Sequence, residues 1–207
     1  MKVLLGKDAE NAVKAYVPVA KSFLVKKYAD AVSVAKKTGY PLVLKIVSKQ
    51  AVHKTEVGGV KIVHDESELE KSWNELAKLK KLKPEEFLVQ EFVQGQELIA
   101  GIKNDATFGH VIMLGMGGIF VEAIKDVTFR VCPITEEDAG SMVNDLKFKK
   151  ILQGFRGSKP VNMKALSDAL VKLSKLPLKN KKLQELDINP LIVNDKAAKA
   201  VDVRVSL

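Results

Sequence analysis

The stretch FLVQEFVQGQELIAGIKND, Phe87–Asp105, holds two apolar runs separated by Gly95. Such runs around a glycine are typical of two β-strands joined by a turn. The stretch follows a break at Lys83-Pro84, before which helical and strand patterns alternate along the chain. Because the organisation changes at this break, we predict an α+β fold of two lobes, a first of residues 1–85 and a second of residues 86–207.

The first lobe is predicted to alternate strands and helices. Its apolar runs predict strands at residues 19–26, 41–47 and 60–64. Helical spacing predicts a helix over residues 29–38 and a second helix that begins at the acidic residues after Asp65. The first twenty residues lack a clear helix pattern, so we expect no leading helix there.

The second lobe is predicted to be mostly antiparallel sheet. Glycine-punctuated apolar runs over residues 108–134 predict successive short strands. Thr135 and the acidic residues after it predict a capped helix start, and an amphipathic helix is predicted over residues 161–176. Two closing strands are predicted at residues 183–193 and 199–205, joined by a turn.

The composition restricts the classes of partner. The net charge of +9, from 34 Lys and Arg against 25 Asp and Glu, raises the question of nucleic-acid binding. The lysines are spread along the chain and lack the interleaved aromatic residues that stack on bases, so we expect no nucleic-acid partner. No apolar run reaches the roughly 18 residues of a membrane helix and the first residues are too charged for a signal peptide, so we expect a cytoplasmic protein without a membrane partner. The single cysteine, Cys132, is expected to be a structural residue.

Oxygen-bearing side chains share one face of the predicted closing strands. Asp187 and Asn189 alternate with apolar residues in ELDINP, and Asp202 and Arg204 do so in AVDVRV. If the two strands pair, Asn189 and Asp202 can lie side by side, and their oxygens suit Mg²⁺. The alternative is a solvated sheet face with a cross-strand polar pair.

Two side chains of the first lobe could meet phosphate. Lys45 lies inside an apolar strand, which is unusual unless its ammonium group reaches an anion. An edge-strand lysine is the alternative. His53 precedes Gly58-Gly59 in a polar stretch, and imidazole is a competent nucleophile toward phosphorus near neutral pH. The alternative is a loop histidine without a chemical role.

The glycine run Gly115-Met116-Gly117-Gly118 is a weak signal for a ligand site. Glycines between short strands usually serve turns and bulges. The chain has neither the P-loop pattern nor a G-x-G-x-x-G that opens a helix, so neither of these common nucleotide folds is predicted.

Longer motifs occur in a fixed order along the chain, and the chain resembles a known family on their account. They are TGYPLVLKIVSKQAVHKTEVGGVKI from Thr38, FLVQEFVQGQELIAGI from Phe87, FGHVIMLGMGGIFVEAIKDVTFRVCPI from Phe108, RGSKPVN from Arg156, ELDINPLIV from Glu185 and AVDVR from Ala200. With these motifs the chain resembles the β subunit of NDP-forming acyl-CoA synthetases, in particular of the archaeal-type ADP-forming acetyl-CoA synthetase.

The resemblance implies an ATP-grasp fold, in which two lobes hold a nucleotide between them. It implies the reversible conversion of acyl-CoA, ADP and phosphate into the free acid, CoA and ATP, with Mg²⁺ and ATP or ADP bound. It also implies a partner α subunit that binds CoA and carries a histidine that is phosphorylated first, in an α2β2 assembly. The chain is then expected to be inactive in the full reaction without that partner.

The resemblance also implies residue roles. At the matching position, His53 would carry the phosphoryl group, and Asp187 would orient or stabilise it. Lys45 would contact the nucleotide phosphates, and Glu97 would lie near the ribose. The hinge against adenine would be formed, partly through backbone groups, by Gln90, Glu91 and Val93. The magnesium ligands would be Asn189 and Asp202.

Two other functions are compatible with the same residues. An ATP-grasp ligase that makes an acyl phosphate directly would need no phosphohistidine, which leaves His53 unexplained. A nucleotide-binding regulatory module without chemistry would have no physical need for Lys45, His53, Asn189 and Asp202 together.

Overall fold

A computed structural model describes residues 2–47, 58–79, 86–118 and 125–207. The chain forms two compact units, a smaller one of Ala20–Phe92 and a larger one of Met1–Val19 with Val93–Leu207. In chain order the elements are β1 (Val3–Leu4), α1 (Gly6–Val13), β2 (Ser22–Val25), α2 (Tyr28–Thr38), β3 (Leu42–Val47), β4 (Val60–Val63), α3 (Glu66–Ala77), β5 (Glu86–Glu91), β6 (Gln96–Asp105), β7 (Gly109–Met116), β8 (Val127–Val131), α4 (Glu136–Asp145), α5 (Lys149–Leu152), α6 (Met163–Ser174), α7 (Leu176–Lys179), β9 (Glu185–Val193), β10 (Ala198–Ala200) and β11 (Val203–Ser206).

The division into units differs from the expected lobes of residues 1–85 and 86–207 in two places. Strand β5, expected to open the second lobe, pairs with β2 and β3 and so belongs to the smaller unit. The first residues belong to the larger unit, because β1 pairs with β11. Both differences arise from pairing between strands that are far apart in sequence. The predicted break at Lys83-Pro84 lies outside the described residues.

The smaller unit is an antiparallel sheet in the order β2-β5-β3-β4. Helices α2 and α3 pack against the sheet and against each other. Alternate residues of β3 (Leu42, Leu44 and Ile46) are fully buried in the core that these helices cover. Because side chains alternate along a strand, Val43 and Lys45 lie on the opposite face of the sheet.

The only tryptophan, Trp73, packs in the core of this unit. Its ring lies 4.2 Å from that of Phe87 and 5.9 Å from that of Tyr28, measured between ring centroids. Trp73 is therefore an optical probe of packing between α3 and β5.

The larger unit is built on a seven-stranded sheet in the order β1-β11-β9-β6-β7-β8, with β10 paired to β9. All these pairs are antiparallel, as predicted for this part of the chain. Strand β9 has the most partners, since it pairs with β6, β10 and β11. Helix α1 contacts β11, while α4 and α6 contact each other and the strands β8, β7 and β10.

Two predictions about the larger unit were wrong. A helix does lead the chain: α1 buries Ala9 and Val13 completely, at the four-residue spacing of one helix face. Charged neighbours hid this short apolar stripe in the sequence. The predicted strand of residues 199–205 is two strands, β10 and β11, with Val201 and Asp202 between them.

The helix starts follow the predicted capping chemistry. The Asp65 side chain accepts a hydrogen bond from Glu68 N at 2.8 Å. Thr135 and Asp138 form a capping box, with Thr135 N donating to Asp138 Oδ2 at 2.9 Å and Asp138 N donating to Thr135 Oγ1 at 3.2 Å. The hydrogen bonds that Thr135 N and Thr135 Oγ1 donate to the Asp138 carboxylate lower the pKa of Asp138.

Gly117 allows the chain after β7 to approach β6 closely. Its N–H donates to Glu97 O at 2.7 Å, and a Cβ atom at this position would lie 2.7 Å from the same carbonyl oxygen. A side chain at this position would force two backbone segments apart, so the close approach requires glycine.

The expectations for Cys132 and for membrane-spanning helices can both be compared with the structure. Burial raises the pKa of the Cys132 thiol to about 11, so the thiolate is scarce at neutral pH, as expected for a structural cysteine. Among the described helices, none is long and apolar enough to cross a membrane.

Core packing in the smaller unit leads to a stability prediction. Leu44→Ala should lower the free energy of unfolding by about 2–5 kcal/mol, because it leaves a cavity beneath α2 and α3. Ile62→Ala, on the same sheet but 51% exposed, should change it by less than about 0.5 kcal/mol. Urea titration followed by Trp73 fluorescence measures both; equal losses in the two variants would contradict this account of the core.

The close approach at Gly117 leads to a second prediction. Gly117→Ala should destabilise the larger unit by about 1–3 kcal/mol, because its new methyl group meets backbone. The matched control is Gly140→Ala in α4, where a Cβ atom meets nothing within 4 Å and removing a helical glycine should stabilise by up to about 1 kcal/mol. Circular dichroism during urea unfolding separates the two signs. A stable Gly117→Ala variant would show that the approach is not required.

Candidate functional site

Lys45 and Gln90 lie on one face of the smaller sheet. Lys45 is paired with Leu88, and Gln90 with Val43, so the two polar side chains are diagonal neighbours on β3 and β5. They lie on the face opposite α2 and α3. Lys45 is 6% exposed and Gln90 is 1% exposed.

The position of Lys45 in the sheet excludes one of the two interpretations made from the sequence, that of an edge-strand lysine. Strand β3 is an inner strand of the sheet, between β5 and β4, so Lys45 is not an edge-strand lysine. Its ammonium group also does not extend into solvent, given the low exposure. Burying a charge requires a compensating partner of opposite polarity, which fits a residue that meets phosphate.

Gln90 holds a buried hydrogen-bond donor. Within the described residues, its Nε2 atom has no hydrogen-bond partner. A buried donor without an acceptor costs roughly 1–3 kcal/mol, so such groups are usually satisfied by a ligand or water. The amide of Gln90 can therefore donate to an acceptor atom of a bound molecule.

The neighbouring Glu91 uses its carboxylate within the smaller unit. Glu91 Oε1 accepts a hydrogen bond from Lys21 N at 2.9 Å, and Glu91 N donates to Lys21 O at 2.9 Å. This double contact ties the end of β5 to the residues before β2.

Val93 and Glu97 belong to the start of the larger unit. Val93 is half-buried, and Glu97 is exposed on β6 beside the glycines after β7. A Cβ atom on Gly118 would lie 3.3 Å from Glu97 Oε2, so the glycine leaves room for this carboxylate.

Asn189 and Asp202 lie side by side, as the sequence predicts. Asn189 N donates to Asp202 O at 3.1 Å, and Val201 N donates to Pro190 O at 3.2 Å. These two bonds continue the pairing across the gap between β10 and β11. Asn189 is exposed and Asp202 is half-buried, so their side chains can be reached from outside the core.

The donor set of this pair fits a hard divalent cation. Carboxylate and amide oxygens are the ligands that Mg²⁺ accepts, and it commonly takes one or two of them together with substrate phosphates. Among the residues that the structure describes, no group of three or more His, Cys, Asp and Glu could hold a metal alone. The pair therefore fits a metal that arrives with a nucleotide better than an independent metal centre.

Asp187 extends the same polar face by one strand position. It lies directly opposite Arg204 on β11 and opposite Gly101 on β6. Its neighbours Leu186 and Ile188 are buried in the core, so Asp187 and Asn189 share the other face of β9. Sequence reasoning placed Arg204 on this face but gave it no role.

His53 lies in residues 48–57, outside the described residues. The described flanks show that this segment connects β3 to its neighbour β4, and Ile46 N donates to Gly59 O at 3.0 Å where the pair resumes. Gly58 has φ of +69°, a conformation that favours glycine. The other two histidines have local roles: His110 Nε2 bonds Leu183 O at 2.8 Å, and His64 N donates to Glu68 Oε2 at 2.8 Å.

Known proteins are similar to this chain in sequence. The family model of the ATP-grasp domain matches residues 1–207. The β subunit of acetate-CoA ligase (ADP-forming) I of Pyrococcus furiosus is 41% identical over 99% of this chain and 91% of its own length. The 4-hydroxybutyrate-CoA ligase (ADP-forming) of Nitrosopumilus maritimus is 42% identical over 99% of this chain, which spans only 31% of that longer protein.

A solved structure agrees over the whole chain. It is acetyl-coenzyme A synthetase 1 of Ca. Korarchaeum cryptofilum in complex with coenzyme A and Mg-AMPPCP, with its phosphohistidine segment pointing towards the nucleotide binding site. The match has a TM-score of 0.84 and 41% identity, and covers 100% of this chain and 93% of that one. The chain therefore belongs to the ATP-grasp family and, within it, to the family of the β subunits of ADP-forming acetate-CoA ligases.

Proposed function

We propose that this chain is the nucleotide-binding β subunit of an ADP-forming acyl-CoA synthetase, an acid-thiol ligase. The complete enzyme would convert acyl-CoA, ADP and phosphate into the free acid, CoA and ATP, and acetyl-CoA is the acyl-CoA that the family resemblance favours. His53 would carry the phosphoryl group between a partner α subunit and the nucleotide. The observation that carries the proposal is the pairing of Asn189 with Asp202, which joins two oxygen ligands on the face that also holds Asp187.

The family resemblance assigns nucleotide contacts to five of the described residues. The buried ammonium group of Lys45 would meet the phosphates. The amide of Gln90, which has no acceptor among the described residues, would donate to an acceptor of the nucleotide. Glu91 and Val93 would form the hinge against adenine, mainly through backbone groups, and the exposed carboxylate of Glu97 would accept from the ribose hydroxyls.

Mg²⁺ would shield the negative charges that meet when a phosphoryl group is transferred, and Asn189 and Asp202 would hold it through their side-chain oxygens. In the transfer to ADP, the bond between phosphorus and the His53 ring nitrogen breaks and its electron pair returns to the ring. A terminal phosphate oxygen of ADP forms the new bond to phosphorus. Asp187 would orient the ring or stabilise its phosphorylated form.

The segment that holds His53 is proposed to move between two sites. In the solved relative from Ca. Korarchaeum cryptofilum, a phosphohistidine segment points towards the nucleotide binding site. Gly58 and Gly59 follow His53 in this chain, and Gly58 has open space around its Cβ position. Glycines of this kind allow the backbone rotations that a travelling loop needs.

A partner α subunit would supply the site for CoA and the acyl group, and an α2β2 assembly is the stoichiometry that the family resemblance favours. The reaction consumes and makes adenine nucleotides, so we expect it in the cytoplasm. Two alternatives are tested by the same experiment: an ATP-grasp ligase that forms an acyl phosphate directly, and a regulatory subunit that binds nucleotide without transfer.

The carrier role of His53 predicts a phosphoprotein. The purified chain, given Mg²⁺ and ATP labelled at the γ position, should take acid-labile, base-stable label. His53→Ala should lose the label, because the nitrogen nucleophile is gone. His64→Ala should keep it, because the His64 ring is exposed and, among the described residues, only the backbone of His64 forms a hydrogen bond. Binding of ATP, measured by calorimetry, should be retained in both variants.

Label that persists in His53→Ala would contradict the assignment to His53. Wild-type protein that binds ATP but takes no label, even with the α subunit of a related ligase present, would contradict the carrier function itself. In that case, acyl phosphate formation from a free acid and ATP would favour the direct ligase, and its absence would favour the regulatory subunit.

A further inference from the structure

One segment of the larger unit is basic throughout. Residues 146–167, which run from the end of α4 into α6, contain five lysines and one arginine but no aspartate or glutamate. Three of the lysines bind oxygens within the unit: Lys149 binds Asn144 O, Lys159 binds Asp195 Oδ2 at 3.2 Å, and Lys164 binds Asp168 Oδ1 at 3.1 Å. The side chains of Lys147, Lys150 and Arg156 are exposed, and within the described part of the chain they form no ion pair. Their positive charge is therefore available to a partner.

Two exposed phenylalanines lie among these cations. Phe148 is 38% exposed and Phe155 is 53% exposed, and they flank the one-turn helix α5. The backbone at Phe148 is fixed, because its N–H and that of Lys147 donate to the buried carboxylate of Asp126 at 3.0 and 2.9 Å. Aromatic residues and arginine are enriched at the energetic centres of protein interfaces. This composition is typical of an interface rather than of a solvated charged face.

The loop that carries Phe155 and Arg156 is closed by its own hydrogen bonds. Phe155 N donates to Ser158 Oγ at 3.0 Å, while Ser158 N and Oγ both donate to Phe155 O, at 3.1 and 2.8 Å. At the base of the loop, Val161 N donates to Leu152 O at 2.9 Å. Because the loop is ordered before any partner arrives, binding through it would cost little conformational entropy.

Arg156 has a backbone conformation that residues other than glycine rarely adopt. Its φ is +51°, in the left-handed region. Its guanidinium carbon lies over the Phe155 ring, 5.4 Å from the ring centre, within the range of a cation–π contact. Glycine would adopt this backbone without strain, so the folded loop does not itself require an arginine at this position. Such local conflicts with backbone preference are typical of functional positions.

The Phe155 surface (Lys147, Phe148, Lys150, Phe155 and Arg156) suits an acidic protein better than a nucleic acid. It is the exception to the general lack of aromatic residues among the lysines of this chain. Bases stack on open aromatic faces, but Arg156 covers one face of Phe155 and most of Phe148 is buried. Carboxylates can pair with the exposed cations, and an apolar pocket between them can receive the Phe155 ring.

We propose that the Phe155 surface docks the partner α subunit, through a surface of that subunit that carries carboxylates around an apolar pocket. The inference rests on the proposed function, which supplies the α subunit as the macromolecular partner. Phe155 enters the pocket as the anchor of the interface, and Arg156 and the two lysines pair with the surrounding carboxylates.

Binding of the α subunit that belongs to the Pyrococcus furiosus β subunit, the relative with 41% identity, tests the proposal in the full chain. Phe155→Ala should weaken the affinity measured by calorimetry about thirtyfold, as the loss of an interface anchor does. Arg156→Gly should weaken it at least about tenfold. The same variant should keep or raise the free energy of unfolding in urea, because glycine relieves the left-handed backbone. An arginine with a merely structural role would give no loss of binding.

The matched control lies at another exposed apolar and basic site. Leu178 is 63% exposed in α7, and Lys181 is exposed beyond the end of that helix. Leu178→Ala and Lys181→Glu remove the same kinds of group as the test variants, at a distance from the Phe155 surface in sequence. Both variants should bind the α subunit as tightly as the wild type does.

Salt provides a second readout of the charged contacts. Raising the ionic strength from about 0.01 M to about 0.15 M shortens the screening length from about 30 Å to about 8 Å. Association of the wild type with the α subunit should slow about tenfold over this range, and that of Arg156→Glu should change much less.

Unchanged affinity in both Phe155→Ala and Arg156→Gly, or no complex with the wild type, would overturn the proposal. Binding of a single-stranded oligouridylate that Arg156→Glu abolishes, with unchanged binding of the α subunit, would overturn it in favour of RNA. Label on His53 tests the proposed function separately. A labelled wild type whose surface variants still bind the α subunit would refute this surface alone, and an unlabelled wild type whose variants lose that subunit would refute the phosphoryl carrier alone.

Discussion

The pairing of β9 with the two strands β10 and β11 is the constraint on which the larger unit depends. Strand β9 is central, and its side chains alternate between the core and the polar face. A shift of its register by one residue would bury Asp187 and Asn189 and expose Leu186 and Ile188, which fixes the register strongly. Because packing of the apolar face fixes the register, the polar residues are placed opposite each other without having to stabilise the pairing themselves. The same alternation that folds the unit therefore assembles its candidate site.

In the smaller unit, by contrast, the candidate site residues on the sheet lie on the face that does not pack the core. Its core lies under α2 and α3, yet Lys45 and Gln90 are buried on the other face of the sheet. The buried amide of Gln90, whose Nε2 has no acceptor within the described residues, opposes folding unless something compensates it. Such a local conflict with packing rules is typical of functional positions, and the nucleotide proposed for this face would supply an oxygen acceptor for the Gln90 amide.

Local patterns in the sequence predicted the bounds of helices and strands better than they predicted which strands pair. Alternation and capping located β3, α2, α3 and α4 within two residues, since each depends on neighbours in the chain. The membership of β5 was mispredicted because it depends on β2, more than sixty residues away, and α1 was missed because only Ala9 and Val13 form its buried stripe. The neighbours Asn189 and Asp202 were predicted from strand pairing. His53 rests on the family resemblance, since it lies outside the described residues.

The most direct test of the account is whether Asn189 and Asp202 act as one metal site. Binding of Mn²⁺ in the presence of ADP, followed by electron paramagnetic resonance, can be measured for the wild type, Asn189→Ala, Asp202→Ala and the double variant. If both oxygens hold the same ion, each single variant should lose about tenfold or more in affinity for Mn²⁺. The double variant should then bind Mn²⁺ only slightly more weakly than the single variant with the lower affinity, because the effects of two groups that share a ligand are not additive. Fully additive losses, or no loss in either single variant, would contradict a metal site shared by Asn189 on β9 and Asp202 between β10 and β11.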